Sequence, residues 1–271
     1  MDQHIENFQA ALLAFIQGLT EFLPISSSGH LVLIPMLTDW PDQGLAFDCV
    51  VHLGTLTAVV SYFRHELCRM TLGFLHTVEQ RSWKASADGK LAWLILISTI
   101  PVGVVGLLLK DFIEIELRSA HVIAVASIVF GLLLWVADRR SRPRKDSLSW
   151  SLQDALIVGI GQAVALIPGT SRAGITITMA LLLGYDRESA ARFSFLLSIP
   201  VIVLAGGLKL KDWIEQPAQA VGISELLIGF SVSAIMAYLC IHFFLRFIER
   251  IGMGPFVAYR IILGVLLLTL I

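Results

Sequence analysis

The sequence predicts an all-α integral membrane protein. It is built as an inverted repeat, each half a re-entrant helical hairpin followed by three transmembrane helices. Three observations predict this. Of the 271 residues 56% are hydrophobic and 15% charged, with a mean hydropathy of +0.79; a soluble chain carries about 25% charged residues. Six apolar runs are long enough to cross a bilayer, and two more are apolar but broken in the middle by proline and polar residues.

In order, the first broken stretch is Phe8–Leu37, interrupted by Pro24, three serines, Gly29 and His30. Spans follow at Leu45–Phe63, Leu91–Leu109 and His121–Ala137. The second broken stretch, Asp154–Leu183, is interrupted by Pro168, Gly169, Thr170, Ser171, Arg172 and Gly174. Spans at Ala190–Leu208, Ile223–Leu245 and Pro255–Ile271 complete the chain. Each broken stretch fits two half-length helices and a turn. Irregular backbone at membrane depth survives only where protein or a cavity surrounds it, so both read as hairpins that enter and leave on one side.

The repeats run from about 8–137 and 152–271 within one membrane domain, residues 1–271. Pro24-Ile-Ser-Ser-Ser-Gly matches Pro168-Gly-Thr-Ser-Arg-Ala at an offset of 144. Three spans per half is an odd number, so the second half is inverted relative to the first, the logic of many transporters. Charge supports this. With the first hairpin entering from outside, the cytoplasmic segments 64–90, 138–150, 184–192 and 246–254 hold 14 of the 20 Lys and Arg residues. The outer loops hold Lys110, Arg118, Lys209 and Lys211. The positive-inside rule then puts both termini outside.

Composition also excludes. A net charge of −1 lacks the basic footprint that nucleic acid demands. Cys49, Cys68 and Cys240 lie far apart and form neither a zinc motif nor a disulfide framework. Met1 to Asn7 is acidic and no cleavage site follows, so the spans themselves direct insertion. A homodimer stays open.

Ionisable groups at membrane depth are costly and mark function. Four stand out: Glu21, Asp48, Arg172 and Arg260. Arg260 lies near the start of the last span and is expected to snorkel to the interface. Arg172 has no such escape. Asp48 and His52, four apart, put a second polar face near the first hairpin.

Gln17 and Glu21 share one helical face. Pro24 ends that helix. Ser26, Ser27 and Ser28 then offer hydroxyls and backbone N–H groups, and His30 falls in the first turn of the next half-helix. Serines after a proline often only cap a helix; the case for a site rests on a carboxylate, hydroxyls and an imidazole coinciding in an apolar hairpin. In the second hairpin Gly169 permits close backbone approach, Thr170 and Ser171 stand at cap positions, and Thr176 follows one turn on. Arg172 beside a helix N-terminus makes an anion site. An Arg172 that merely pairs with Glu21 is the structural alternative.

With these motifs on the page, the chain resembles the undecaprenyl-diphosphate phosphatase family of the bacitracin-resistance type. The resemblance lies in Gln17-Gly-Leu-Thr-Glu21, Pro24-Ile-Ser26-Ser27-Ser28-Gly29-His30 and Pro168-Gly169-Thr170-Ser171-Arg172-Ala173-Gly174-Ile175-Thr176. Phe47-Asp48, Arg192-Phe-Ser-Phe-Leu-Leu-Ser-Ile-Pro200 and Tyr259-Arg260-Ile add to it, over nearly the whole chain. The resemblance implies hydrolysis of undecaprenyl diphosphate in a bacterial inner membrane, recycling the carrier lipid for peptidoglycan, and resistance to the antibiotic that sequesters that lipid. It also implies a divalent cation, Mg²⁺ or Ca²⁺, for which Glu21 is the candidate ligand. Two departures stand out. Gln17 replaces the glutamate of many members, and Ala173 replaces the usual serine.

The expected catalytic set is Glu21, Ser27, His30 and Arg172; the expected substrate-binding set is Gln17, Ser26, Ser28, Gly169, Thr170, Ser171 and Thr176. Ser27 activated by His30, His30 itself, or a water activated by His30 are the candidate nucleophiles. The expected partners are a polyprenyl diphosphate and membrane lipids, in a cleft opening to the periplasm. The rival reading is a transporter or flippase of a polyprenyl phosphate lipid, since inverted repeats are transporter architecture.

Overall fold

The computed structural model describes residues 5–38, 40–142, 145, 149–215 and 221–270. The regular secondary structure of these residues is helical, apart from an isolated bridge between Lys145 and Tyr185. The helices are α1 Asn7–Thr20, α2 Ser27–Leu37, α3 Gly44–Tyr62, α4 Arg64–Glu79, α5 Ala87–Leu108, α6 Lys110–Glu116 and α7 Ala120–Arg140. They continue with α8 Leu152–Ala163, a 3₁₀ turn Val164–Leu166, α9 Arg172–Leu182, α10 Arg187–Glu215, α11 Ile223–Ile251 and α12 Gly254–Leu270.

Five helices, α3, α5, α7, α10 and α11, are long and apolar enough to cross a membrane. Each coincides with a predicted span. The sixth predicted span is α12, a shorter apolar helix of 17 residues; Ile271 lies outside the described residues, as does Arg144 of the charge tally. Lys209 and Lys211, assigned to an outer loop, sit inside α10. The helices α1, α2, α8 and α9 have 14, 11, 12 and 11 residues. At about 1.5 Å per residue they fall short of a hydrocarbon core about 30 Å thick.

The segment 64–90, read as a loop, contains α4. An apolar-run reading misses it because Arg64, His65, Glu66 and Arg69 interrupt its apolar face. It packs on α5, where the Trp93 indole donates to Thr77 Oγ1 at 2.9 Å and Phe74 contacts Trp93.

Small residues let the other helices meet closely, as membrane packing requires. A methyl group on Gly18 of α1 would meet Ser233 O at 2.6 Å, and one on Gly54 of α3 would meet Phe230 O at 2.6 Å. Both α1 and α3 therefore lie against α11. The α12 helix lies on α7, and α8 on α5. The α9 helix is sheathed by protein: Ala173 to Thr178, Ala180 and Leu181 are all buried. That burial keeps α9 away from the protein's exterior.

Ion pairs tie the helix ends. Arg187 donates to Asp138 at 2.6 Å, Arg192 to Glu66 at 2.5 Å, and Met253 N to Asp138 at 3.3 Å. At the far end of α10, Lys209 pairs with Asp48 at 2.9 Å.

Candidate active site

The two breaks share one backbone device. Ser26 caps α2 and Ser171 caps α9, with φ of 73° and 70°. A positive φ is strained for serine and persists only where surroundings enforce it. Each serine hydroxyl accepts from the N–H three residues on, Gly29 at 3.4 Å and Gly174 at 3.0 Å. The caps stand 145 positions apart (171 − 26). The expected offset of 144 aligned Pro24 with Pro168; by the caps, Pro24 corresponds to Gly169 and Pro168 to Leu23. Each break uses its proline at a different step.

Gly169 has φ +91°, and a methyl group there would meet Ile123 O at 2.5 Å. Only glycine allows this turn to press against α7. The Ser171 hydroxyl also reaches Leu23 O at 3.4 Å, joining the second break to the first.

The caps put Ser27 and Arg172 at the first positions of α2 and α9. Between them stands Glu21. Its Oε2 accepts from Ser27 Oγ at 2.6 Å and from Gln17 Nε2 at 3.0 Å. Its Oε1 accepts from Arg172 NH2 at 3.1 Å, the two side chains being 9% and 13% exposed. Arg172 NH1 donates to Ser194 O at 2.9 Å. Gln17, Glu21, Ser27 and Arg172 are thus brought together from sites 155 residues apart in the chain (172 − 17). A buried guanidinium and carboxylate neutralise each other, and a phosphate oxygen could take the place of the carboxylate on the same fork.

Of the three roles open to His30, activating Ser27 finds no hydrogen bond between the two side chains among those described. Its Nδ1 lies 2.7 Å from Ser26 O, and its Nε2 lies 2.5 Å from the Tyr259 hydroxyl, with the rings stacked. A carbonyl only accepts, so Nδ1 carries the proton and, in the neutral ring, Nε2 accepts from Tyr259. Both nitrogens are engaged, while Ser27 donates to Glu21.

Ser28 Oγ lies 3.5 Å from Ser26 Oγ. Thr176 is buried, its hydroxyl donating to Arg172 O at 2.8 Å and meeting Ser194 Oγ at 2.7 Å. Thr170 Oγ1 is buried without a partner. Asp48 is held by Lys209 and by Gln43 Nε2 at 3.1 Å, and His52 Nδ1 turns to Asp48 O at 2.6 Å. The pair adjoins the site, because His52 lies within electrostatic reach of Glu21.

Sequence reasoning left Ser194 and Tyr259 without places in the site; both lie in stretches that carried the family resemblance. Its reading of Arg260 is overturned. Arg260 is wholly buried and does not snorkel: its guanidinium donates to the carbonyls of Pro24, Ala126, Ser127 and Gly169. Carbonyls from three distant segments satisfy it, which removes the drive to reach water.

Fold and site together define a multi-pass membrane protein that carries an acid, a hydroxyl and a guanidinium between two helix N-termini, suited to an anionic ligand. The chain belongs to the BacA family: the model described as "Bacitracin resistance protein BacA" matches residues 10–266. Similar curated proteins agree. One from Thioalkalivibrio sulfidiphilus, named undecaprenyl-diphosphatase, is 52% identical over 97% of this chain and 98% of its own. One from Stutzerimonas stutzeri, named undecaprenyl-diphosphatase 2, is 56% identical over 97% of each chain. Another undecaprenyl-diphosphatase, from Alcanivorax borkumensis, is 57% identical over 96% of this chain and 97% of its own.

Proposed function

We propose that this chain is a membrane hydrolase that converts undecaprenyl diphosphate to undecaprenyl phosphate and inorganic phosphate, with Ser27 as nucleophile and Glu21 as its base. One observation carries the reading: Ser27 donates to the same carboxylate that Arg172 holds, at the mouths of two helices. The relatives' names point to the same substrate.

Arg172 and the free N–H groups of α2 and α9 bind the diphosphate, neutralising charge that would repel a nucleophile. Ser27 Oγ forms a bond to the terminal phosphorus as the bridging P–O bond breaks. The serine proton passes to Glu21, and the lipid leaves as the monophosphate. Water then cleaves the phosphoserine, releasing inorganic phosphate and restoring Ser27. Tyr259 and Ser26 hold His30 beside this path, where it steers the water or the departing phosphate.

A divalent cation would find few protein donors here. Gln17 Nε2 donates to Glu21, which leaves its Oε1 buried and without a partner beside that carboxylate. Among the described residues no group of three or more His, Cys, Asp or Glu could hold a metal. Mg²⁺ commonly binds through one or two carboxylates plus substrate phosphates. Glu21 and the Gln17 carbonyl oxygen would hold it, and when bound it supplies charge neutralisation on the diphosphate.

The two short helix pairs α1–α2 and α8–α9 form re-entrant hairpins of an inverted repeat, in a bacterial inner membrane. Their lengths, their matched caps and the basic segments 64–90, 138–150, 184–192 and 246–254 support this reading and a cleft that opens to the periplasmic side. A Ser28→Cys variant tests it, made with Cys68→Ser because Cys68 is the exposed native thiol. It should react with membrane-impermeant maleimide from outside; reaction only from inside rules the orientation out.

The functional test uses purified protein in detergent, with a prenyl diphosphate, with and without chelator. Phosphate release, a phosphoserine trapped at Ser27, and its loss in Ser27→Ala are the expected results. Lipid movement without phosphate release would favour transport instead.

A further inference from the structure

Arg260 is the largest wholly buried side chain among the described residues. Its described hydrogen bonds all go to backbone carbonyls: NH1 to Pro24 at 3.3 Å, NH2 to Gly169 at 2.9 Å and to Ala126 at 3.4 Å, and Nε to Ser127 at 3.2 Å. Buried charges ordinarily pair with an opposite charge. This one instead joins three segments through their main chains.

The choice of carbonyls is informative. Pro24 stands two residues before the cap Ser26, and Gly169 two residues before the cap Ser171. One guanidinium therefore binds equivalent peptide oxygens in both turns and anchors them to α7. The preceding residue on α12, Tyr259, holds His30. Gly174, one turn into α9, leaves room for the guanidinium: a methyl group there would stand 2.8 Å from Arg260 NH1.

We propose that Arg260 is a positioning residue for the hydrolysis: its planar fork cross-braces the two turns and fixes the separation of the α2 and α9 N-termini that hold the diphosphate. The inference rests on the hydrolytic reading above. Anion capture between two helix ends depends on their spacing, because Ser27 rides on one and Arg172 on the other. A lysine cannot replace this brace, since three donors radiating from one nitrogen do not reach four carbonyls from three segments. The carbonyls satisfy the donors without cancelling the charge, so the brace also favours an anion in the cleft.

The test compares wild type, Arg260→Lys, Arg260→Gln and Gly131→Ala. Gly131 lies on α7 away from Glu21, Ser27 and Arg172, and a methyl group there would meet Arg260 Cβ at 3.3 Å and Nε at 3.6 Å. It shifts the guanidinium while leaving it chemically intact. Phosphate release from a short-chain prenyl diphosphate and competitive inhibition by methylenediphosphonate are measured, with thermal midpoints recorded alongside. The Arg260 variants should lose about 100-fold in kcat, as small misplacements do, with KM changed far less and diphosphonate inhibition weakened. Gly131→Ala should lose kcat by a smaller factor at an unchanged midpoint. An Arg260→Lys enzyme that folds and turns over within twofold of wild type overturns the proposal. Should the Arg260 variants not fold, normal kcat and normal inhibition in Gly131→Ala overturn it. A wild type that releases no phosphate defeats the hydrolytic reading instead.

Discussion

The break between α1 and α2 and the break between α8 and α9 use one backbone and two chemistries. Both interrupt a helix with a serine at positive φ whose hydroxyl caps the next helix, and both offer Arg260 the carbonyl two residues earlier. Their side chains diverge. Position one of the following helix is Ser27 in the first break and Arg172 in the second; the carboxylate Glu21 corresponds to Leu166, and His30 to Ile175. An anion needs a nucleophile on one side and a fixed cation on the other. Two like breaks supply the same N–H groups, and divergence of a few side chains divides the remaining labour.

Breaking that division at its centre gives the largest effect. Ser27→Ala removes the proposed nucleophile and should lower kcat on the order of 10³-fold or more, with the protein still folded; phosphate release and the absence of a trapped phosphoserine check it. Arg172→Lys keeps the charge but not the fork that reaches both Ser194 O and Glu21. A loss of about 10- to 100-fold in kcat/KM is expected, read in the same assay.

Two further substitutions sharpen the comparison. Gly169 and Pro24 occupy equivalent steps, but only Gly169 has positive φ and a carbonyl in its way. Gly169→Ala should cost on the order of 2 kcal/mol or more of stability while Pro24→Ala costs much less, as thermal midpoints will show. Equal losses would mean that the two turns are under equal strain. Tyr259→Phe removes one hydrogen bond to His30 and should cost about tenfold or less in kcat. Its pH–rate profile, compared with wild type, reports whether the hydroxyl also fixes the ring's protonation.

Much of this was legible before any coordinates. The spans announce themselves as apolar runs, and the breaks as Pro24 and Pro168-Gly169 set in apolar sequence. Glu21, Ser27 and Arg172 were recognisable because a charge or hydroxyl cluster at membrane depth demands a reason. The register of the two breaks was not legible. Prolines are conspicuous, but the structure counts from the serine caps, and that shifts the offset from 144 to 145. The sequence leaves three roles open for His30, and its partner Tyr259 is not legible there because it lies 229 residues away. Arg260 was misread for a related cause. Position along a helix suggests snorkelling, but the direction of a side chain depends on what packs beside it, and its acceptors lie as far as 236 residues off.

That distance has a bearing on biogenesis. Translation proceeds from the N-terminus, so the ribosome polymerises more than two hundred residues between the turn that carries Ser27 and Arg260, which donates to its Pro24 carbonyl. Throughout that interval a nascent chain can carry Ser27 and Glu21 without the finished cleft around them. The proposed cleft is thereby completed late, after α12 has been delivered to the bilayer. A translation intermediate stalled short of that helix should accumulate in the membrane without cleaving lipid.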